Sequence, residues 1–313
     1  MTAAAPAEGF AFDALRRSPV VRRARLTDRL MRTLLFACAA LSVFVTFAIV
    51  WILVAESRAF FEQVPLSRFL TEREWTPVFS NPQFGVWPLL SATLWAAGIA
   101  MVVATPLGLV LTIYLSEYAK PVVRETVKPI LELLGAVPTV IFGYFALTFL
   151  TPLFARFIPG LGGFNLLVPG VVLGVMILPY VVSISEDAMR AVPDSLREAG
   201  FALGMSKRRT AMQVVLPAAF SGVTAAFLLG LSRAVGETMV VAIAAGQNPN
   251  LTGDPREGAA TITSYIVQIS QGDLPHGSLA YASIFAVGLV LFLLTLTFNL
   301  IGFWLRRRFR EAY

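Results

Sequence analysis

The sequence predicts an all-α protein that crosses a membrane about six times. Of its 313 residues, 57% are hydrophobic and only 14% are charged, whereas an ordinary soluble domain is about 25% charged. Apolar runs long enough to cross a hydrocarbon core of about 30 Å recur along the chain. Lysine and arginine residues concentrate in alternate loops, which is typical of a polytopic membrane protein.

The predicted elements begin with a basic tail, residues 1–32, which contains seven arginines. A cleaved signal peptide is disfavoured because the next apolar run has spanning length and no small-residue cleavage site follows it. Residues 33–55 are predicted to form a peripheral first helix, 87–305 the transmembrane core and 306–313 a basic tail. The six predicted spans are 34–54, 87–115, 129–150, 166–185, 217–245 and 279–305.

The loops and breaks between these spans indicate how the bundle is built. A polar loop, 55–86, precedes the core, and the loop 246–278 holds a short apolar piece, 262–269, that is predicted to be an interfacial helix. Glycine and proline are frequent within the second to fourth spans, where neighbouring helices or a cavity must satisfy the freed backbone groups. This predicts a packed bundle that moves or lines a path.

The charge distribution predicts the orientation. With both termini inside the cell, nineteen of the 25 lysine and arginine residues lie in inner segments and five in outer loops, which leaves Arg233 within a span. This is a strong positive-inside bias. The C-terminal arginines are predicted to anchor the chain near anionic lipid headgroups.

The composition also narrows the functional classes. Cys38 is the single cysteine and His276, in an outer loop, is the single histidine, so no intrachain disulfide is possible and neither a metal cluster nor a Ser-His-Asp triad is favoured. The chain contains no G-x-x-x-x-G-K-[ST] phosphate-binding loop. The basic residues suit membrane topology better than nucleic-acid binding. We therefore expect no catalytic residue, no metal and no nucleic-acid partner.

The polar stretch 195–217, SLREAGFALGMSKRRTAMQVVLP, separates two apolar spans on the predicted inner side. Ser195 and Glu198 have the S-x-x-E spacing of a capping box, so a helix is predicted to begin at Ser195. Gly204 is placed to end that helix in a left-handed conformation, and Ser206 can cap a second helix that runs to Pro217. The prediction is two helices hinged at a glycine; the alternative is an ordinary amphipathic surface loop.

The spacing within this stretch resembles the EAA loop of ABC importer permeases. That family's pattern is E-A-A, three residues, G, nine residues, I, one residue and L-P, and this chain departs from it only by Gly200 and Val214. The resemblance implies the type I importer (MetI-like) permease fold, with a coupling helix in the loop 193–217 that docks on an ATPase subunit. The coupling residues that it implies are Glu198, Ala199, Gly200, Gly204, Leu216 and Pro217.

Arg233 and Glu237 are four residues apart within the predicted fifth span, so we expect them on one helix face. Charges there are energetically costly and mark either a pathway or a self-neutralising ion pair. Their surroundings, SRAVGETM, resemble the R-A-x-G-E-T segment of phosphate-specific ABC permeases, and the continuation resembles the PstC subunit. The segments 84–90, 137–143 and 266–273 are also similar to that subunit. The resemblance implies that Arg233 and Glu237 line the phosphate pathway.

The same resemblance implies the partners. These are a PstA-like permease, a PstB-like ATPase dimer that binds the ATP, a PstS-like phosphate-binding protein outside and the surrounding membrane lipids, while no cofactor is expected on this chain. A permease for another oxyanion, such as sulfate or molybdate, is an alternative. An ATP-independent anion channel or secondary transporter is a second, and a membrane enzyme is the weakest because catalytic residues are lacking.

Overall fold

The computed structural model describes residues 19–308 apart from 273, 274 and 276, and side-chain surroundings from residue 27 onward. The predictions for the chain ends before 19 and after 308, and for His276, lie outside the described residues. The described chain is helical, with one isolated antiparallel bridge. It divides into two compact units, Met1–Ala55 and Glu56–Tyr313.

The first unit is dominated by helix α1, Pro19–Gln63, which contains the predicted first span and whose residues after Ala55 belong to the second unit. From Thr27 onward this helix is long and apolar enough to cross a membrane. Large apolar side chains such as Phe36, Phe44 and Trp51 are exposed. A helix with apolar side chains on all sides is stable in lipid, because its backbone hydrogen bonds are satisfied within the helix.

The second unit contains eleven helices in its described residues. In chain order they are α2 (Leu66–Thr71), α3 (Trp87–Tyr118), α4 (Pro121–Ala136), α5 (Thr139–Ala155), α6 (Leu167–Arg190), α7 (Asp194–Ala202), α8 (Lys207–Ala218), α9 (Phe220–Val235), α10 (Met239–Ala244), α11 (Ile262–Ser270) and α12 (Leu279–Arg308). Helices α1, α3, α6 and α12 can each cross a membrane by length and composition, and the described chain has up to six spans if each bent pair, α4 with α5 and α8 with α9, counts as one.

Two predicted spans are wrong as continuous helices. The predicted span 129–150 is divided between α4 and α5, which meet at 85°. Pro138 causes this break, because a proline excludes the preceding residue from the helical region, and Val137 is extended with φ −67° and ψ 128°. The predicted span 217–245 is divided twice, by a 73° bend at Ala219 and by the end of α9 at Val235.

The core of the bundle is the contact between α3 and α6, where small residues allow the backbones to approach closely. Ala96, Ala100 and Ala104 on α3 are buried. A Cβ atom built at Gly174 on α6 would lie 2.7 Å from the Cβ of Val103 and 2.8 Å from the carbonyl oxygen of Ala100. Helices in lipid associate through such close van der Waals packing rather than through the hydrophobic effect.

Helix α9 packs on α6 by the same means, next to α3. A Cβ atom at Gly230 would lie 2.7 Å from a methyl carbon of Val181, and one at Gly222 would clash with the Cβ of Ala188. Together, α3, α6 and α9 form a glycine- and alanine-packed unit that positions both candidate sites described below.

The predicted polar loop 55–86 is folded around an aromatic cluster. Phe60, Phe69, Trp75, Phe84 and Tyr265 are all buried and meet edge to face, with ring centroids 5.2–6.2 Å apart. Tyr265 belongs to α11, so the predicted short helix at 262–269 is confirmed, although its place at an interface stays a prediction. Burial raises the pKa of the Tyr265 phenol to about 12.

The Glu72 carboxylate forms hydrogen bonds at the edge of this aromatic cluster. The Glu72 side chain accepts hydrogen bonds from the Phe84 backbone N–H at 2.9 Å and from the Arg68 guanidinium at 2.6 Å. Burial alone would raise the pKa of Glu72, but these bonds to its charged form lower the pKa below the ordinary 4.5. The ionised carboxylate therefore stabilises the closed hairpin between residues 72 and 84.

Candidate functional site

Helix α7 begins one residue earlier than predicted. Its first residue is Asp194 and its N-cap is Pro193, with no side-chain capping bond, so the predicted capping box of Ser195 and Glu198 is wrong. Proline has a fixed φ, here −59°, and a helix readily begins directly after it. Ser195 and Glu198 therefore point outward and are exposed.

The turn between α7 and α8 confirms the predicted hinge. Gly204 has φ +77°, in the left-handed region. Its N–H donates to the Phe201 carbonyl at 2.9 Å, and the Met205 N–H donates to the Gly200 carbonyl at 3.1 Å, which is the Schellman arrangement. Ser206 then caps α8, as predicted, by accepting from the Arg209 N–H at 3.4 Å.

Gly200 allows α7 to lie directly against α8. It is the buried residue of α7, and a Cβ atom there would approach both the methyl carbon and the hydroxyl oxygen of Thr210 at 3.2 Å. The departure from the E-A-A pattern at this position therefore has a local packing reason, because alanine would require Thr210 to move.

The opposite side of α7 presents apolar side chains to solvent. Phe201 and Leu203 are exposed, Leu203 to 82%, and Glu198 and Ala199 are exposed beside them. We call these four residues the α7 outer face. Exposed large apolar side chains beside a carboxylate can form a protein–protein contact.

Leu216 and Pro217 lie in the last turn of α8, away from the α7 outer face. Leu216 packs against the buried cluster of Met189, Val215 and Val223, whereas Pro217 is exposed. The helix bends two residues later, at Ala219. Proline removes a backbone donor and a π-helical turn, Ala211–Val215, precedes it, which are two recognised causes of a helix kink. The sequence pattern therefore groups residues that serve different structural purposes.

Arg197 joins α7 to the membrane helices, and sequence reasoning missed it. Its guanidinium donates to Glu117 Oε1 at 3.0 Å, to the Met189 carbonyl at 2.9 Å and to the Val192 carbonyl at 2.6 Å. Glu117 lies in the last turn of α3, and both carbonyls lie at the end of α6. The Arg197 and Glu117 side chains are only 15% and 7% exposed. A fourth contact, to Asp194 at 3.1 Å, is to a side chain that is 88% exposed.

A second buried charge cluster joins α4 to α6. Lys128 Nζ lies 2.9 Å from Glu186 Oε2 and 2.8 Å from Asp187 Oδ1, and Arg190 lies 3.6 Å from the other Glu186 oxygen. The Glu186 side chain is 1% exposed. A buried carboxylate requires such partners, so this cluster fixes α4 on α6.

The structure separates Arg233 from Glu237. Helix α9 ends at Val235, with Gly236 as its C-cap, so the prediction that the two residues share one helix face is wrong. The Glu237 carboxylate accepts from the Met239 N–H at 3.2 Å, and its backbone carbonyl accepts from the Thr263 hydroxyl at 2.7 Å. Glu237 thus connects α10 and α11.

Arg233 has an aromatic partner. Its guanidinium carbon lies 4.3 Å from the ring centroid of Tyr180, on α6. None of the ion pairs found within residues 27–308 includes Arg233. The positive charge is therefore oriented but not neutralised by a carboxylate of the described chain.

Comparison with known proteins agrees with this architecture. Residues 104–311 match the family described as binding-protein-dependent transport system inner membrane component. The chain is similar to the probable ABC transporter permease protein YqgH of Bacillus subtilis, with 34% identity over 279 residues that cover 88% of this chain and 90% of the relative. It is also similar to the phosphate transport system permease protein PstC of Mesorhizobium japonicum, with 30% identity over 298 residues that cover 89% and 90%.

Two solved structures have a similar fold. One is a bacterial ABC transporter involved in the import of the acidic polysaccharide alginate, with a TM-score of 0.61, 15% identity and coverage of 92% of this chain and 100% of that one. The other is the MetNI methionine ABC transporter, with a TM-score of 0.53, 23% identity and coverage of 72% and 95%. At these identities the structural similarity concerns the fold alone, and it confirms the predicted all-α importer-permease architecture.

Proposed function

We propose that this chain, which belongs to the family of binding-protein-dependent transport system inner membrane components, passes inorganic phosphate through the membrane for an ATP-driven importer. The observation that carries the proposal is the exposed Arg233 guanidinium, which lies over the Tyr180 ring in the last turn of the apolar helix α9.

The class is that of a PstC-like permease subunit of an ABC importer in the membrane. Such subunits are not enzymes, because ATP hydrolysis belongs to a separate ATPase subunit. An importer of this kind also works with a substrate-binding protein. The chain is therefore one part of a larger complex, and its own role is to open and close a path.

The chemistry of Arg233 supports an oxyanion as the proposed cargo. A guanidinium carries five N–H donors in one plane and matches two oxygens of a tetrahedral oxyanion at once. In a medium of low dielectric constant its attraction for an anion is much stronger than in water. Several relatives that cover most of this chain are named phosphate transport system permease protein PstC, which favours phosphate over other oxyanions. Glu237 then shapes the path by joining α10 to α11.

The α7 outer face is the proposed contact with the ATPase. Its exposed apolar side chains and Glu198 suit a groove that is apolar with a basic rim, and the Schellman turn at Gly204 holds the helix rigidly for docking. In this role Glu198, Ala199 and Gly204 act at the docking surface and Gly200, Leu216 and Pro217 behind it. The proposal puts the ATPase, α7 and both termini on the cytoplasmic side, in accord with the positive-inside bias of the sequence.

We propose that this chain works in a complex with three kinds of partner protein. A homologous PstA-like permease would face this chain, a PstB-like ATPase dimer would hold the α7 outer faces and a PstS-like protein would deliver phosphate from outside. Residues 33–55 are proposed as a peripheral helix and 87–305 as the translocating core. The exposed α7 outer face, which offers a docking surface for an ATPase, is what distinguishes this assembly from a simple channel.

Phosphate uptake by cells that depend on this importer tests the proposal. We expect Arg233→Gln to reduce phosphate uptake at least tenfold, while the permease still co-purifies with its ATPase. Arg58→Gln is the matched control, because Arg58 is exposed and pairs only with Glu62 four residues later, so its uptake should be unchanged. Normal uptake by the Arg233→Gln variant would contradict the proposed pathway.

Two further readouts separate the alternatives. If sulfate or molybdate competes with phosphate as well as unlabelled phosphate does, the cargo is a different or broader class of oxyanion. If uptake continues when the ATPase is inactivated, the chain acts as a channel or a secondary transporter.

A further inference from the structure

The environment of Tyr180 differs from that of its immediate neighbours on α6. Its neighbours Ile177, Pro179 and Val181 are buried, whereas Tyr180 is partly exposed. Pro179 precedes it inside the helix, which removes one backbone hydrogen bond and loosens the helix locally. The Tyr180 ring is held by contacts with residues of other helices.

Two helices meet the Tyr180 ring. A Cβ atom built at Gly135, in the last turn of α4, would lie 3.6 Å from the phenol oxygen and 3.8 Å from two ring carbons. The Arg233 guanidinium, in the last turn of α9, lies over the ring at 4.3 Å. Tyr180 therefore connects α6 with the ends of α4 and α9, next to the 85° bend that follows α4.

An aromatic partner and a carboxylate affect an arginine differently. A carboxylate would neutralise the charge and occupy the N–H donors, which lie in the guanidinium plane. A ring attracts the cation through its quadrupole and covers only the flat face. The donors at the edge then remain available for a bidentate contact with an oxyanion.

Glu237 does not take the role of the carboxylate partner in the described chain. Its side chain accepts from the Met239 N–H and its carbonyl is bonded to Thr263, so it is committed to joining α10 and α11. Arg233 is instead oriented by Tyr180, over whose ring its guanidinium lies.

We infer that Tyr180 is the positioning residue for Arg233: its ring lies under the guanidinium at 4.3 Å and orients it, so that N–H donors are presented to a tetrahedral oxyanion in transit. This inference rests on the proposed phosphate pathway and deepens it. The residue that orients the Arg233 guanidinium is then distant in the sequence and lies on another helix, α6.

The test varies the ring rather than the arginine. Tyr180→Phe keeps a ring of nearly the same size and should keep phosphate uptake within about twofold of the unchanged protein. Tyr180→Leu removes the quadrupole and should lower the maximal uptake rate about 2- to 30-fold, the range that corresponds to measured cation–π energies. The amount of each variant that assembles with the ATPase is measured in parallel, so that rates are compared per complex.

A series of fluorinated phenylalanines at position 180 gives the decisive readout. Each added fluorine weakens the ring quadrupole while the shape of the side chain changes little. If Tyr180 orients Arg233 through its ring, uptake falls stepwise with the number of fluorines. A purely structural ring would give the same rate across the series, and that result would overturn the inference. Tyr180→Phe being as impaired as Tyr180→Leu would overturn it too, because the hydroxyl and not the ring would then matter.

The proposed function and this inference fail in different ways. If Arg233→Gln transports normally, the pathway itself is wrong. If Arg233→Gln is inactive but the fluorinated series is flat, the pathway stands and only the role of Tyr180 is refuted.

Discussion

Replacing Glu117 with alanine should uncouple ATP hydrolysis from import. Glu117 is the buried acceptor for Arg197, and the replacement leaves a guanidinium that is 15% exposed without its carboxylate. Two backbone carbonyls, of Met189 and Val192, continue to accept from Arg197. The attachment of α7 to α3 would be lost, whereas the attachment of α7 to the end of α6 would be weakened only indirectly.

The magnitude follows from the burial of the pair. Breaking a fully buried ion pair costs about 3–5 kcal/mol, and a hydrogen bond to a charged group is worth about 1.5–3 kcal/mol. Because two carbonyls remain, we expect a loss of about 1–3 kcal/mol. A loss of this size lowers the equilibrium constant for attachment of α7 about 5- to 150-fold.

Asp194→Ala provides the matched control. Asp194 also contacts Arg197, at 3.1 Å, but its side chain is 88% exposed, and exposed pairs contribute about 0–1 kcal/mol. The assay is phosphate imported per ATP hydrolysed, in proteoliposomes that contain the complete importer. Glu117→Ala should retain ATP hydrolysis and lose several-fold in this ratio, while Asp194→Ala should keep the ratio. Equal ratios for the two variants would refute the reasoning, because burial would then not decide the strength of the link.

Two further predictions concern stability. Gly174→Ala should lower the melting temperature in detergent by several degrees, because its Cβ would lie 2.7 Å from Val103 and overpacking of this kind costs about 1–3 kcal/mol. Gly98→Ala should not lower the melting temperature, because a Cβ there meets nothing within 4 Å. Equal losses for the two variants would contradict the packing argument. Hydrogen exchange at the Phe84 amide should depend on the charge of Glu72: the pKa of Glu72 is lowered in the folded state, so its stabilisation is present above pH 4.5 and is lost as the pH falls through the folded value. Glu72→Gln should reduce the protection of this amide and abolish its pH dependence between about pH 5 and pH 2, and an unchanged pH profile in that variant would show that Glu72 is not the titrating group.

The fold class and the α7–α8 turn could be predicted because their signals are local. Hydropathy over about 20 residues identifies a helix that can cross a membrane. Gly204 and Ser206 act within a few residues of their own positions, so their spacing was sufficient. The predicted start of α7 is wrong by one residue. The helix begins directly after Pro193, so Ser195 already lies inside it and does not act as its cap.

The broken spans and both candidate sites depended on information that hydropathy does not contain. The run 217–245 is apolar enough to be predicted as one span, yet the backbone turns at Ala219 and again after Val235. The four-residue spacing of Arg233 and Glu237 assumed an unbroken helix between them. The partners of Arg197 and Arg233 lie on other helices, Glu117 being 80 residues away from Arg197, and only the packing of the bundle brings them together.

The 73° bend between α8 and α9 affects how a movement of α7 is transmitted to the membrane helices. A push along α8 has only a small component along α9, so most of it would turn the joint at Ala219 instead of moving the membrane helix lengthwise. Arg197 provides a route around that joint, because it fastens α7 directly to the ends of α3 and α6. Those two helices are packed through glycine and alanine without room to slide. Through Arg197, a load on α7 therefore reaches the packed pair of α3 and α6 without passing through the bend at Ala219.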